Sequence, residues 1–216
     1  MREILVIAGA SAVGKTTVVK ELVSLFDRFY LIRSATTRAP RGDGHDGEYL
    51  YYTREDFLLA KNSGEMLESM EYQGELYGTP RSELENCFEK GKTPVLILDL
   101  QGVASLSSVT DLNCCAVYLY DDIATIEDRL VQRYMNTEGG YEKILGRKNQ
   151  NLNDYAKMLD YEPYFYAFIK NSGTVKECLE KILQVYNSFV CLEPKSKNTL
   201  SYAREIVKMA VSTKYK

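Results

Sequence analysis

The chain has 216 residues, 45% of them apolar and 26% charged, which suits one well-cored domain and excludes an intrinsically disordered polymer. Its net charge of −3 lacks the basic excess of a dedicated nucleic-acid binder. No apolar run approaches the ~18 residues of a membrane span.

Five cysteines, an odd number without metal-ligand spacing, argue against a disulfide framework or a zinc site. Cys114 and Cys115, inside the apolar run NCCAVYLY, read as ordinary buried thiols. Met1-Arg2-Glu3 leads straight into ILVIA and leaves no room for a signal peptide, so a soluble, reduced, cytoplasmic protein is expected.

In chain order, Ile4–Ala8 predicts a strand ending at glycine, and a helix pattern follows from Lys15 to about Phe29. Tyr30–Arg33 reads as a second strand. After the Gly-, Arg- and Tyr-rich residues 34–52, Thr53 and Asp56 resemble a capping box for a helix that stops at Gly64. Residues 65–78 give short strand-like pieces around Gly74. Thr79 then reads as an N-cap with Pro80 at the first helical position, and Gly91 as the stop.

Pro94–Asp99 is an apolar run ending in an acid, the pattern of a buried parallel strand. Ala116–Tyr120 predicts a strand, Ile123–Tyr134 a helix and Ala167–Lys170 a last strand. A further helix starts at Thr174, with Glu177 completing a capping box. Strands alternating with helices at this spacing predict an α/β fold, a parallel sheet with helices on both faces.

Beyond a polar break at Pro194–Lys197, Leu200, Ala203, Val207, Ala210 and Val211 fall near one helical face. Residues 191–216 carry six Lys/Arg against two Glu, a net +4 that leaves −7 for the rest. This basic amphipathic helix is expected to pack back on the domain or on a second subunit as a homodimer, rather than on a membrane or nucleic acid.

Residues 9–16, GASAVGKT, match G-x-x-x-x-G-K-[ST] between a predicted strand and a predicted helix. Gly9 and Gly14 permit the turn, and the backbone N–H groups of Ala10, Ser11, Ala12, Val13 and Thr17 with the helix N-terminus suit a polyphosphate. Lys15 is placed to reach the β and γ phosphates, and the Thr16 hydroxyl to ligate Mg²⁺. A nucleoside triphosphate, ATP first, is therefore expected. No N-K-x-D tetrapeptide supports a GTPase. A kinase needs a second, acceptor pocket.

Arg38 and Arg41, in SATTRAPRGD, lie three apart in a segment too rich in Thr, Pro and Gly for a helix. Two guanidinium forks suit a dianionic phosphate, and the hydroxyls of Tyr49 and Tyr77, each beside glycines, add neutral donors.

Together with the P-loop, three motifs resemble the guanylate kinase family over about residues 3–190. They are Ser34-Ala35-Thr36-Thr37-Arg38-Ala39-Pro40-Arg41, Gly74-Glu75-Leu76-Tyr77-Gly78-Thr79 and Asp99-Leu100-Gln101-Gly102-Val103. The resemblance implies a P-loop NTPase-type core over 1–33 and 80–190, a GMP-binding insert over 34–79 and a mobile lid over 134–150, with 191–216 as an extra helix. It implies phosphoryl transfer from MgATP to GMP.

On that reading Arg38, Arg41, Tyr49 and Tyr77 hold the GMP phosphate, and Ser34, Glu68 and Thr79 hold the guanine. A carboxylate such as Glu68 accepts from the ring N–H and exocyclic amine of guanine together, and adenine offers no ring N–H at that edge. Asp99 either positions Mg²⁺ or contacts the guanine amine. The family's second acid, two residues earlier, is replaced by Ile97.

The resemblance further makes Arg129 and Arg133 lid arginines over the transferring phosphate; their alternative is i,i+4 pairing with Glu127 or Asp128. Arg147 substitutes for a lid arginine that aligns near Ile144, and Asn171 stands on the adenine side or in a simple turn. Residues 134–146 read as the lid, with Gly139 and Gly140 as hinges. His45, Glu71 and Glu75 read as solvated residues. A kinase with another phosphorylated acceptor, or a binding module that captures a phosphopeptide in the GMP pocket, are the competing readings.

Overall fold

The computed structural model describes residues 2–40, 47, 49–72, 74–195 and 198–214. Arg41, Gly42, Gly44 and His45 lie outside the described residues, and so do the expectations attached to them. The chain divides into two compact units, Met1–Val6 with Leu22–Cys114, and Ile7–Glu21 with Cys115–Lys216.

The elements run β1 (Arg2–Gly9), α1 (Lys15–Leu25), β2 (Phe29–Leu31), β3 (Ser34–Thr36), β4 (Tyr49–Tyr51), α2 (Arg54–Asn62), β5 (Met66–Tyr72) and β6 (Glu75–Pro80). They continue with α3 (Arg81–Glu89), β7 (Thr93–Ile97), α4 (Leu100–Leu106), β8 (Leu112–Tyr120), α5 (Ile123–Tyr134) and α6 (Gly140–Ala156). Last come α7 (Met158–Tyr161), a 3₁₀ turn at Glu162–Tyr164, β9 (Ala167–Lys170), α8 (Val175–Val190) and α9 (Thr199–Lys214).

One sheet has the order β2-β7-β1-β8-β9, with β2–β7 and β8–β9 paired parallel. Ile4 to Ala8 of β1 and Cys115 to Tyr120 of β8 are buried throughout, as continuous apolar strands covered on both faces should be. The predicted α/β class and parallel sheet flanked by helices are what the chain forms. Helix α5 and strand β9 begin and end where the sequence predicts. Helix α8 has the full Thr174–Glu177 capping box.

The first helix ends at Leu25, four residues short of the expectation. An Asp27-Arg28 turn follows, closed by Phe29 N–H donating to Phe26 O at 3.0 Å, so Phe29 opens β2 instead. Residues 34–52 contribute two strands that their composition concealed. A four-stranded sheet has the order β4-β3-β6-β5, with Ser34 opposite Tyr49, Thr36 opposite Tyr77 and Glu68 opposite Thr79. Its core is Ala35, Phe57, Ala60, Met66 and Leu76, with Tyr52 packed against them.

Helix α3 departs from expectation at its start: Pro80 holds the N-cap position without a side-chain bond, and Thr79 lies within β6. Asp99 lies two residues past β7 and caps α4, accepting from Gly102 N–H at 2.7 Å. The stretch read as the lid, 134–146, is helical from Gly140 onward. An added Cβ at Gly140 would lie 1.9 Å from Tyr134 O, so the glycine serves a close approach there.

Helix α9 packs on α6, α7 and β9 of its own unit. Its buried face is Ala203, Ile206 and Ala210, while Leu200 and Val211 of the predicted stripe are exposed.

Candidate active site

In the unit that holds the GASAVGKT loop, the turn is built as its glycines suggest. Gly9 takes φ 152°, and a Cβ there would lie 2.3 Å from Leu119 O, so only glycine lets the loop leave β1 beside β8. Gly14 takes φ 98°. Ala12 is left-handed at φ 64°, an uncommon setting for a residue with a Cβ.

Lys15 folds over the loop, donating to Gly9 O at 2.8 Å and Ala10 O at 2.9 Å. Thr16 follows it in the first turn of α1. Asn171, buried after β9, donates from Nδ2 to Val13 O at 2.7 Å. It thus braces the loop backbone through its amide.

Arg129 does not pair with Glu127 or Asp128. Its Nη2 sits 3.1 Å from Asp121 Oδ2, a fully buried carboxylate, and donates to Asn171 O at 3.3 Å. Nη1 is buried without a hydrogen-bond partner among the described residues. Glu127 instead meets Lys148 at 2.8 Å, joining α5 to α6. Arg133 lies exposed, with its guanidinium over the Tyr134 ring at 5.3 Å. Arg147 is half-buried on α6.

The other unit carries the candidate acceptor residues on one sheet. Paired residues on neighbouring strands share a face, and alternate residues along a strand share it too. Ser34, Tyr49, Tyr77, Thr79 and Glu68 therefore fall on one face, with Ala35 and Leu76 on the other, in the core. The Arg38 guanidinium stacks over the Tyr49 ring at 5.1 Å and donates from Nη1 to Ala39 O at 2.9 Å.

Glu68 is 8% exposed and accepts from the Thr79 hydroxyl at 2.7 Å. Burial pushes its carboxyl up to about 7; the Thr79 bond opposes that shift and the charge of Asp99 adds to it. Gly102 packs close beside it: a Cβ there would lie 3.6 Å from Glu68 Oε2 and 3.3 Å from Asp99 Oδ1. Glu71 is an exposed partner of Arg54 at 3.4 Å, as a solvated charge should be. Glu75 is tied by the Thr37 hydroxyl, which donates to it.

Three residues of these constellations carry no sequence signal. Asp121 and Asn151 are buried polar groups on Arg129 and Ser11, and Arg33 forms a two-pronged pair with Glu83 at 2.9 and 3.1 Å. The Ser11–Asn151 and Arg33–Glu83 contacts join residues far apart in the chain, Asp121 and Arg129 are eight apart, and no helical spacing announces any of them.

A glycine-turned loop between a parallel strand and the N-terminus of a helix, with a lysine over its carbonyls, defines a P-loop nucleotide-binding protein. The comparisons sharpen that class. The model of the family described as guanylate kinase matches residues 1–188, and the chain belongs to the guanylate kinase family.

A guanylate kinase of Clostridioides difficile is 34% identical over 182 residues, covering 83% of this chain and 86% of the relative. One from Synechocystis is 32% identical over 161 residues, covering 74% and 84%. The crystal structure of guanylate kinase from Anaplasma phagocytophilum shares the fold, with a TM-score of 0.60 at 22% identity over 92% of this chain and 88% of that one. Among the described residues no helix is long and apolar enough to cross a membrane.

Proposed function

We propose that this chain is an ATP-dependent GMP kinase that moves the terminal phosphoryl group of MgATP to GMP, giving ADP and GDP, in the cytoplasm. The observation that carries the acceptor is Glu68. It is a buried carboxylate with one oxygen held by Thr79 and the other close to Gly102, where an added Cβ would lie 3.6 Å from it. In its ionised form such a group matches the paired N–H donors of guanine. Ser34 lies on the same face, and we assign Asp99 to the guanine amine because its charge acts on Glu68.

For the acceptor phosphate we assign Arg38 and Arg41 with Tyr49 and Tyr77, making 34–79 the acceptor region. For ATP we assign the loop from Gly9 to Thr17, and Asn171 as its brace. Lys15, Arg129, Arg133 and Arg147 supply positive charge to the transferring group, with 134–150 as the lid. The spare Nη1 of Arg129 favours this role. A GMP phosphate oxygen attacks the γ phosphorus, the bond to the β–γ bridging oxygen breaks, and ADP carries that electron pair away. Catalysis is then positioning and charge neutralisation.

The Thr16 hydroxyl, in the first turn of α1, is a hard oxygen donor of the kind Mg²⁺ accepts beside phosphates and water. When bound, Mg²⁺ neutralises phosphate charge. Asp99 already gives one oxygen to Gly102 N–H, which favours the base side over the metal.

The test is ADP release from MgATP against GMP, dGMP, AMP, CMP, UMP and IMP. Turnover at least ~10³-fold more efficient with GMP than with AMP is expected, because a site built on hydrogen bonds leaves its polar groups unpaired with the wrong base. Equal use of AMP would remove Glu68 as a guanine reader. No turnover with intact ATP binding would favour the phosphopeptide-binding reading. Arg38→Ala is expected to raise the KM for GMP about 10-fold or more and leave that for ATP unchanged. An unchanged GMP KM would take Arg38 out of the phosphate site.

A further inference from the structure

Asn151 lies on α6, 140 positions from Ser11, and makes two bonds to that one residue. Its Oδ1 accepts from Ser11 N–H at 2.7 Å and its Nδ2 donates to Ser11 O at 3.1 Å. It is 6% exposed, so its amide is committed to the loop. Two bonds from one planar amide to the N–H and C=O of a single residue fix that residue's backbone on both sides of its Cα.

The next residue, Ala12, is the left-handed one. A non-glycine in that region is strained and persists only where its surroundings over-determine it. Here Ser11 before it is held by Asn151, and Val13 after it by Asn171. The uncommon turn is therefore clamped from two separate elements.

We propose that Asn151 is a positioning residue for the nucleoside triphosphate, acting through Ser11 to hold the phosphate loop in its binding shape before the nucleotide arrives. Preorganisation of this kind raises affinity by removing the ordering cost from the binding step. Helix α6 is suited to hold it. Lys148 ties α6 to Glu127 of α5, and α9 packs on it. Since α9 lies past residue 188, where the family match ends, it gives the extra C-terminal helix a place in the same support.

Arg147 stands four residues before Asn151, on the same side of α6. The helix that bears a proposed lid arginine is thus fastened to the loop beneath the phosphates it would serve.

The proposal rests on the nucleotide-binding reading of the loop, and the experiment separates the two. Full-length wild type, Asn151→Leu and Asn151→Ala are titrated with MgADP and, separately, with GMP, and their melting temperatures are recorded. Leucine keeps the volume and removes both bonds; alanine removes them without added bulk and serves if the leucine variant fails to fold. The expected result is MgADP binding about 10-fold weaker, GMP binding within twofold of wild type, and a KM for ATP that rises with kcat nearly unchanged.

If wild type binds MgADP and the variants bind it equally well, with only a lower melting temperature, Asn151 merely fastens α6 and the proposal is overturned. A variant in which GMP binding falls as much as MgADP binding overturns it too, since the effect is then general. A wild type that binds no MgADP would instead remove the nucleotide reading itself.

Discussion

Replacing Lys15 by methionine is expected to cut turnover at least ~10³-fold at saturating MgATP and GMP, with the melting temperature within a few degrees of wild type. The lysine is a compact point charge on a flexible stem, and its Nζ bonds Gly9 O and Ala10 O of the loop. Those two carbonyls keep the ammonium over the cradle, and an incoming polyphosphate, far more anionic than two carbonyls, draws it away. Methionine keeps the length of the stem and loses the charge.

Lys15→Arg is expected to fail nearly as badly. Its planar fork is wider than an ammonium, and Gly14 beside it has a neighbour, Asn171 Nδ2, already 2.9 Å from where a Cβ would stand. Single-turnover rates with GMP decide the matter. A methionine variant within tenfold of wild type would show that the loop does not carry the reacting phosphate.

The phosphate loop was legible because its chemistry is local: nine consecutive residues from Gly9 to Thr17 make the turn, the dipole and the charge. Helix α8 was legible for the same reason, since Thr174 and Glu177 satisfy each other within one turn. Thr79 misled because Thr-Pro before a helix is a good N-cap pattern. The buried Glu68 needed a donor, and a charge-assisted bond to a carboxylate outweighs one helix cap. Phe26 and Phe29 extended an apolar helix pattern past the real end of α1, with no glycine or proline to mark the stop.

Long-range polar contacts stayed hidden. Nothing near Asn151 distinguishes it from the other asparagines of α6, and nothing beside Asp121, the residue after β8, marks it as fully buried. Arg129 shows the consequence. Helical spacing offered Glu127 and Asp128, yet the guanidinium took a desolvated carboxylate eight residues back and the carbonyl of Asn171. A partner already fixed by the sheet costs less ordering than a mobile side chain on the same helix. The site is therefore readable where the chain is local and unreadable where the fold supplies the partner.

Glu68→Gln is expected to move activity and stability in opposite directions. The carboxyl is raised from 4.5 to about 7 chiefly by burial, with Thr79 opposing and Asp99 adding. A carboxyl with a folded pKa above its unfolded one favours the fold below the unfolded value, and that contribution is lost as pH rises through the folded value. Above pH ~7 the ionised, buried Glu68 therefore weighs against folding, on the order of 3 kcal/mol at most.

Glutamine carries no charge and its carbonyl still accepts from Thr79, so the variant should melt roughly 5 °C higher at pH 8. At pH 5 the gap should close, because wild-type Glu68 is then protonated. The same change removes the acceptor for one of guanine's two N–H groups, and kcat/KM for GMP should fall ~10³-fold or more while MgADP binding holds. In wild type, GMP use should weaken as pH drops below about 7, for the protonated acid accepts only one of those donors. Melting curves at pH 5 and 8, with GMP kinetics across that range, test both arms. A glutamine variant that is less stable at pH 8, or one that still prefers GMP over AMP, would show that Glu68 is a structural acid and that guanine is read elsewhere.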